Sequence, residues 1–308
     1  MKERAGLPNY HPSMQFLLLA AIVIGCMIVG ALIGVGIIVG IYGTKTFLQV
    51  STFNTAYPGV VNAIWILQVT STTIPLFLGP VIFARYIVRE PEDYLKANTP
   101  FKPALFFMVL AVMFCSSAFM EWLVNINQAM KFPHFLQGLY NWMRHSEDEA
   151  LKETQLLLQM NSLGAMLFDL LVIGLLTAIA EEFLFRGCVQ TIFTRWTKSK
   201  HWGIWIAAIL FSAFHMQFFG FLPRLLLGVF FGYFVAWSGS IWTSVWGHFI
   251  NNGSAVVITY LFQQKIIKVN PDDQHVFNWL GYLLSLILTV LLLNVYRNIA
   301  ESKKPRPM

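Results

Sequence analysis

Charge is what this sequence has least of. Only 12% of its 308 residues are charged against 56% hydrophobic, and a mean hydropathy of +0.61 is too apolar for a soluble domain of that length. That poverty of charge excludes a disordered chain. Cysteine is scarce as well: Cys26, Cys115 and Cys188 all sit inside apolar runs, which excludes a disulfide framework and makes them read as buried thiols. No internal repeat is visible, so the inverted-repeat symmetry of many transporters is missing. The excess of 21 Lys+Arg over 15 Asp+Glu would suggest nucleic acid in a soluble protein. Here most basic residues flank hydrophobic stretches, so the charge orients the chain in a bilayer and no nucleic-acid partner is implied.

What the sequence does have is long apolar runs. Stretches of about 20 residues, the length that spans a bilayer, occur at 15–42, 59–84, 104–125, 164–194, 202–219, 221–237, 240–263 and 277–296. The predicted fold class is therefore all-α, a polytopic membrane helical bundle of about eight transmembrane helices forming one integral domain over 1–308. The first run is too long for a signal-peptide core and is expected to be retained as a helix. Alternate loops differ in charge. The set containing both termini holds fourteen basic residues, among them Lys2, Arg4, Lys303, Lys304 and Arg306, and the opposite set holds seven. Both ends are thus expected in the cytoplasm.

The only sizeable polar insert, 126–160, is expected to be an extracytoplasmic loop with a short amphipathic helix. Ser146 and Glu149 stand at capping-box spacing ahead of "ALKETQLLLQM". Gly30 with Gly34, Gly36 with Gly40, and Gly228 with Gly232 are GxxxG pairs that let helices approach closely. Trp202, Trp237, Trp242 and Trp246 read as interface-belt aromatics, and His11, His134, His145, His201 and His275 as solvated flank residues.

A bilayer penalises ionisable side chains, so those left inside apolar runs are candidates for function. They are Glu121, Asp169, Glu181, Glu182, Arg186, His215, His248 and Arg224. Five of them, with Phe211 and Asn252, fall in three patterns, "EEFLFRG" from Glu181, "FSAFH" ending at His215 and "HFINN" from His248. Glu182 and Arg186 are four apart and share a helix face, whereas Glu181 points about 100° away. Glu182 can pair with Arg186, which leaves Glu181 as the candidate general base. His248 and Asn252 also share a face, from which both can donate to a developing oxyanion. At about 1.5 Å per residue the three patterns can meet at middle to cytoplasmic depth. Asp169 and Glu121 match no pattern and are expected to make interhelical hydrogen bonds.

EExxxR, FxxxH and HxxxN, in that order on three apolar helices, resemble the CAAX-processing and bacteriocin-processing (CPBP) intramembrane endopeptidase family, which includes the type II CAAX prenyl endopeptidases. The resemblance covers about 160–260, which would be the catalytic core. It implies peptide-bond hydrolysis by activated water, with Glu181 and His215 positioning and deprotonating it, His248 and Asn252 holding the oxyanion, and Glu182, Arg186 and Phe211 supporting them. The implied partners are a peptide or protein substrate at the membrane, CaaX-like or otherwise, and the lipid bilayer.

No cofactor is firmly implied. A Glu with His215 and His248 could ligate zinc, yet HExxH is absent, and metal participation stays open. No paired GxGD-type aspartates occur, and "WSGSIW" at 237–242 lacks the setting of a rhomboid serine. The final "KKPRPM" has no Cys four from its end, so the expectation is a processor and not a prenylated client. Two other classes fit the residues: a proton-coupled transporter, and a catalytically silent immunity or scaffold protein of the same fold.

Overall fold

The computed structural model describes residues 10–89, 91–268, 270 and 276–302. Lys2, Arg4, Lys303, Lys304, Arg306 and His275 lie outside the described residues. Among the described residues every regular element is helical.

Ten helices carry the fold: α1 Pro12–Val50, α2 Val60–Val88, α3 Pro103–Cys115, α4 Ser117–Gln128, α5 Gln137–Leu157, α6 Leu163–Thr197, α7 Lys200–Phe214, α8 Phe221–Ser238, α9 Trp242–Gln263 and α10 Trp279–Glu301. All eight expected apolar runs fall on helices, but the count of eight spans does not follow. Five helices, α1, α2, α6, α8 and α10, are long and apolar enough to cross a membrane, and six if α3 and α4, bent by 44°, form one span. The difference is physical. Helix α7 has only 15 residues, about 22 Å at 1.5 Å each, and α9 dilutes its apolar run with His248, Asn251 and Asn252.

Both described chain ends lie at one end of the bundle. His11 packs edge-on against Trp196 at the end of α6, Tyr94 hydrogen-bonds Gln15, and Lys102 reaches the carbonyl of Ile299 near the end of α10. Helix α5 sits at the other end, where Arg144 lies 3.3 Å over the Phe219 ring and Glu147 accepts the Phe219 backbone N–H at 3.0 Å.

That helix corrects the capping-box reading. It begins at Gln137, nine residues before Ser146, and runs for 21 residues. Ser146 is interior, and Glu149 pairs with His145 at 3.4 Å instead of capping. The helix runs on upstream of the local signal through "QGLYNWMRH".

Small residues decide the packing at two of the three glycine pairs. A Cβ at Gly30 or Gly34 would collide with Thr70 of α2, and one at Gly232 would come within 2.7 Å of Ile204 of α7. Gly36 and Gly40 meet nothing within 4 Å, so that pair makes no helix contact: it faces away from the bundle. Of the cysteines only Cys188 is buried, while Cys26 and Cys115 are half-buried.

Candidate active site

Helix α6 is not a uniform α-helix. Thr177–Glu182 is an α-helical turn between two π-helical stretches, Leu170–Leu176 and Phe183–Val189. Such widened turns cluster at functional sites because they re-aim side chains and carbonyls. Here they place Glu181, Glu182 and Arg186 in the bundle interior, with Glu182 and Arg186 wholly buried.

Glu182 is the hub. Its Oε1 accepts from Arg186 Nη1 at 2.7 Å and from His248 Nδ1 of α9 at 2.8 Å. Arg186 continues across the bundle, donating to the Gly228 carbonyl at 3.2 Å and lying 4.4 Å from the Phe211 ring centroid. One turn on, Gln190 donates to the Gly232 carbonyl at 3.1 Å. Two side chains four apart on α6 thus meet two glycine carbonyls four apart on α8. The glycines matter twice, admitting α7 on one side and exposing carbonyls to α6 on the other. Sequence reasoning missed the Glu182–His248 link and Gln190; both join residues far apart in the chain, and no local spacing encodes them.

Glu181 points elsewhere. Its Oε2 lies 3.8 Å from His215 Nε2 and 3.8 Å from His248 Nε2, and among the described residues it has no hydrogen-bond partner although buried. The tautomers follow from the other ring nitrogens. His215 Nδ1 is 2.9 Å from the Phe211 carbonyl, which can only accept, so it carries the proton and Nε2 offers a lone pair. His248 Nδ1 likewise donates to Glu182. The rings are held by Phe211, edge-on to both, and by Phe231, stacked on His248 at 5.2 Å. Each 3.8 Å gap exceeds one hydrogen bond of about 2.8 Å and is shorter than two end to end, so each is a gap that one water can bridge.

Glu181, His215, His248 and Asn252 all line one cavity of about 460 Å³. Asn252 donates one Nδ2 hydrogen to the Ile173 carbonyl at 3.2 Å, and its Oδ1 accepts from Asn251; its second Nδ2 hydrogen remains. Asn251, Gln68 and Arg224 also face this space, of which only Arg224 stood out in the sequence.

The cavity lies in the half of the bundle nearer α5. Thr154 and Leu157 of α5 help line it, and His215 terminates α7 at the end opposite Lys200. The site therefore lies toward α5 and away from the end that holds the chain termini. The cause is the shortness of α7, which ends where Met216 adopts φ 55°, a left-handed conformation.

Glu181, His215 and His248 are the residues that would hold a metal. Two ligands at about 2.05 Å on tetrahedral zinc stand roughly 3.3 Å apart, closer than the 3.8 Å here. Among the described residues no group of three His, Cys, Asp or Glu could hold a metal ion. Of the remaining acids in apolar runs, the half-buried Glu121 accepts from Tyr282 of α10 at 2.8 Å, the expected interhelical bond. Asp169 is buried with Oδ2 unpartnered among the described residues, so the bond expected of it is not seen there.

This geometry sits inside a segment with known relatives. Residues 163–254 match the Rce1-like family, the type II CAAX prenyl endopeptidases. That is the family whose motifs the sequence resembles, and the matched segment carries Glu181, Glu182, Arg186, Phe211, His215, His248 and Asn252. Among curated proteins, the uncharacterized protein YpbD of Bacillus subtilis (strain 168) is 27% identical over 111 residues, 35% of this chain. The match spans 52% of that relative's length. No solved structure matches.

Proposed function

We propose that the protein is an intramembrane endopeptidase that hydrolyses a peptide bond with water activated by Glu181. One observation carries the reading: a buried carboxylate oxygen without a hydrogen-bond partner among the described residues, equidistant from two imidazole Nε2 atoms, at the wall of a cavity. Water there donates to Glu181, the base, while His215 Nε2 orients it by accepting its second hydrogen. Attack on the substrate carbonyl creates an oxyanion, for which the Nδ2 hydrogen of Asn252 not given to Ile173 is a donor, and its collapse breaks the C–N bond as protonated Glu181 returns the water's proton to the leaving amine. His248 donates from Nε2 only when doubly protonated, a charge that Glu182 faces at 2.8 Å. Glu182 and Arg186 hold His248 and α8 in register and do not touch substrate.

The proposed substrate is a peptide or protein at the membrane, CaaX-like or otherwise. With both termini cytoplasmic, as the basic residues favour, the cavity opens toward the outer face, beneath α5, and the eight apolar runs all belong to the membrane region. Comparative peptidomics of membranes holding wild type and Glu181→Ala tests activity and names substrates together. Cleavage products present with wild type and absent with the variant are expected; identical peptide sets count against the peptidase.

A further inference from the structure

Among the described residues Arg224 is the one Lys or Arg that lines the cavity, and its position is unfavourable in three ways. It stands in the first turn of α8, where the helix dipole is positive and a cation is disfavoured. It is at the edge of an apolar bundle, where charge is costly. Among the described residues it forms no ion pair: Glu147 and Glu181 act on it only through space, and its direct partner is neutral, Gln217, which takes Nη2 on Oε1 at 2.6 Å and Nη1 on its carbonyl at 3.3 Å.

A guanidinium has five N–H donors in a rigid fork, and the two bonds to Gln217 leave three. The fork is also preset. Asn127 of α4 ties the α7–α8 loop by donating to the Phe218 carbonyl at 2.9 Å and accepting the Leu222 N–H at 2.6 Å, and Glu147 holds Phe219. The guanidinium lies over Gly220, where a Cβ would come within 3.3 Å of Nη2. A cation anchored by neutral groups, with donors left over beside a base, is built to receive an anion.

We infer that Arg224 is a specificity residue that binds a carboxylate of the peptide substrate, a reading that rests on the proposed peptidase. A sphere of 460 Å³ is about 10 Å across, roughly three extended residues at about 3.3 Å each. The carboxylate recognised therefore lies within about three residues of the bond facing Glu181. Either the chain's own C-terminal carboxylate or an acidic side chain offers that chemistry.

The test uses three pools of apolar hexapeptides: with a free C-terminal carboxylate, with a C-terminal carboxamide, and with a carboxamide plus one Glu side chain. Retention on purified full-length Glu181→Gln protein in neutral detergent is read by mass spectrometry, so that no peptide is consumed. At least one carboxylate pool should be enriched over the carboxamide pool by about tenfold or more, the scale of one charge-assisted contact, and which pool identifies the source. Adding Arg224→Gln should abolish the preference and Arg224→Lys should keep part of it, with melting temperature confirming that each variant is folded. Equal retention of the three pools, a preference unchanged by Arg224→Gln, or displacement of the peptides by phosphatidylglycerol overturns the inference. Cleavage by the protein with Glu181 intact is read separately: carboxylate preference without any cleavage refutes the peptidase and leaves the anion site standing, whereas cleavage of acid and amide pools at equal rates does the reverse.

Discussion

Replacing Glu182 by leucine removes the acceptor shared by Arg186 and His248. Both Glu182 and Arg186 are 0% exposed, so the guanidinium cannot recover water. Among the described residues its close partners are then the Gly228 carbonyl at 3.2 Å and the faces of Phe211 and Phe231, 4.4 and 5.3 Å from its carbon, with Glu181 acting on it through space. Stranding one member of a buried ion pair costs about 3–5 kcal/mol, a large share of the ~5–15 kcal/mol that holds a typical protein folded. Removing both charges, as Glu182→Leu with Arg186→Met, leaves the His248 Nδ1–H as the main orphan, at about 1–3 kcal/mol. The double variant is therefore expected to be more stable than the single one. Equilibrium unfolding in detergent, followed by tryptophan fluorescence, gives both values. A single variant as stable as wild type, or a double variant less stable than the single, refutes the argument that Glu182 exists to neutralise and orient.

The glycine pairs make a sharper contrast. Gly30→Ala drives a Cβ into Thr70 and should destabilise by about 1–3 kcal/mol, whereas Gly36→Ala meets open space and should stay within about 0.5 kcal/mol; equal melting curves would contradict this. Lys96, in the loop after α2, is pushed down to about 8 by burial first and then by Lys200 and Arg195. The unfolded chain therefore binds more protons than the native one between about pH 8 and 10.5, and stability should rise across that window. Lys96→Met should flatten the rise, and identical pH profiles for the two proteins would refute it. Asn252→Ala should lower kcat by about 10²-fold with KM little changed; full turnover per folded molecule would remove Asn252 from the oxyanion role.

The sequence made legible what is local or penalised by the bilayer. Glu182 and Arg186 announce their contact by four-residue spacing, and Gly30, Gly34, Gly228 and Gly232 mark close approaches. Gly36 and Gly40 carry the same pattern with no contact, because GxxxG encodes permission to approach and not a partner. The Glu182–His248 bond spans 66 positions, and Gln190 meets Gly232 across 42; such pairings depend on which helices are neighbours. The start of α5 was hidden because Ser146 and Glu149 imitate a capping box inside a helix whose upstream half, with Gly138 and Asn141, carries weak helix formers. The half of the bundle in which the motifs meet was hidden, because it depends on where α7 ends, at Phe214, and run length alone could not reveal that.

The central claim is that Glu181, and not its neighbour, is the base. Turnover of a cleaved peptide by purified Glu181→Gln protein tests it most directly, with an unfolding curve on the same sample. The account predicts a folded protein, stable to within about 1 kcal/mol of wild type, with cleavage abolished; wild-type cleavage by folded Glu181→Gln protein would contradict it.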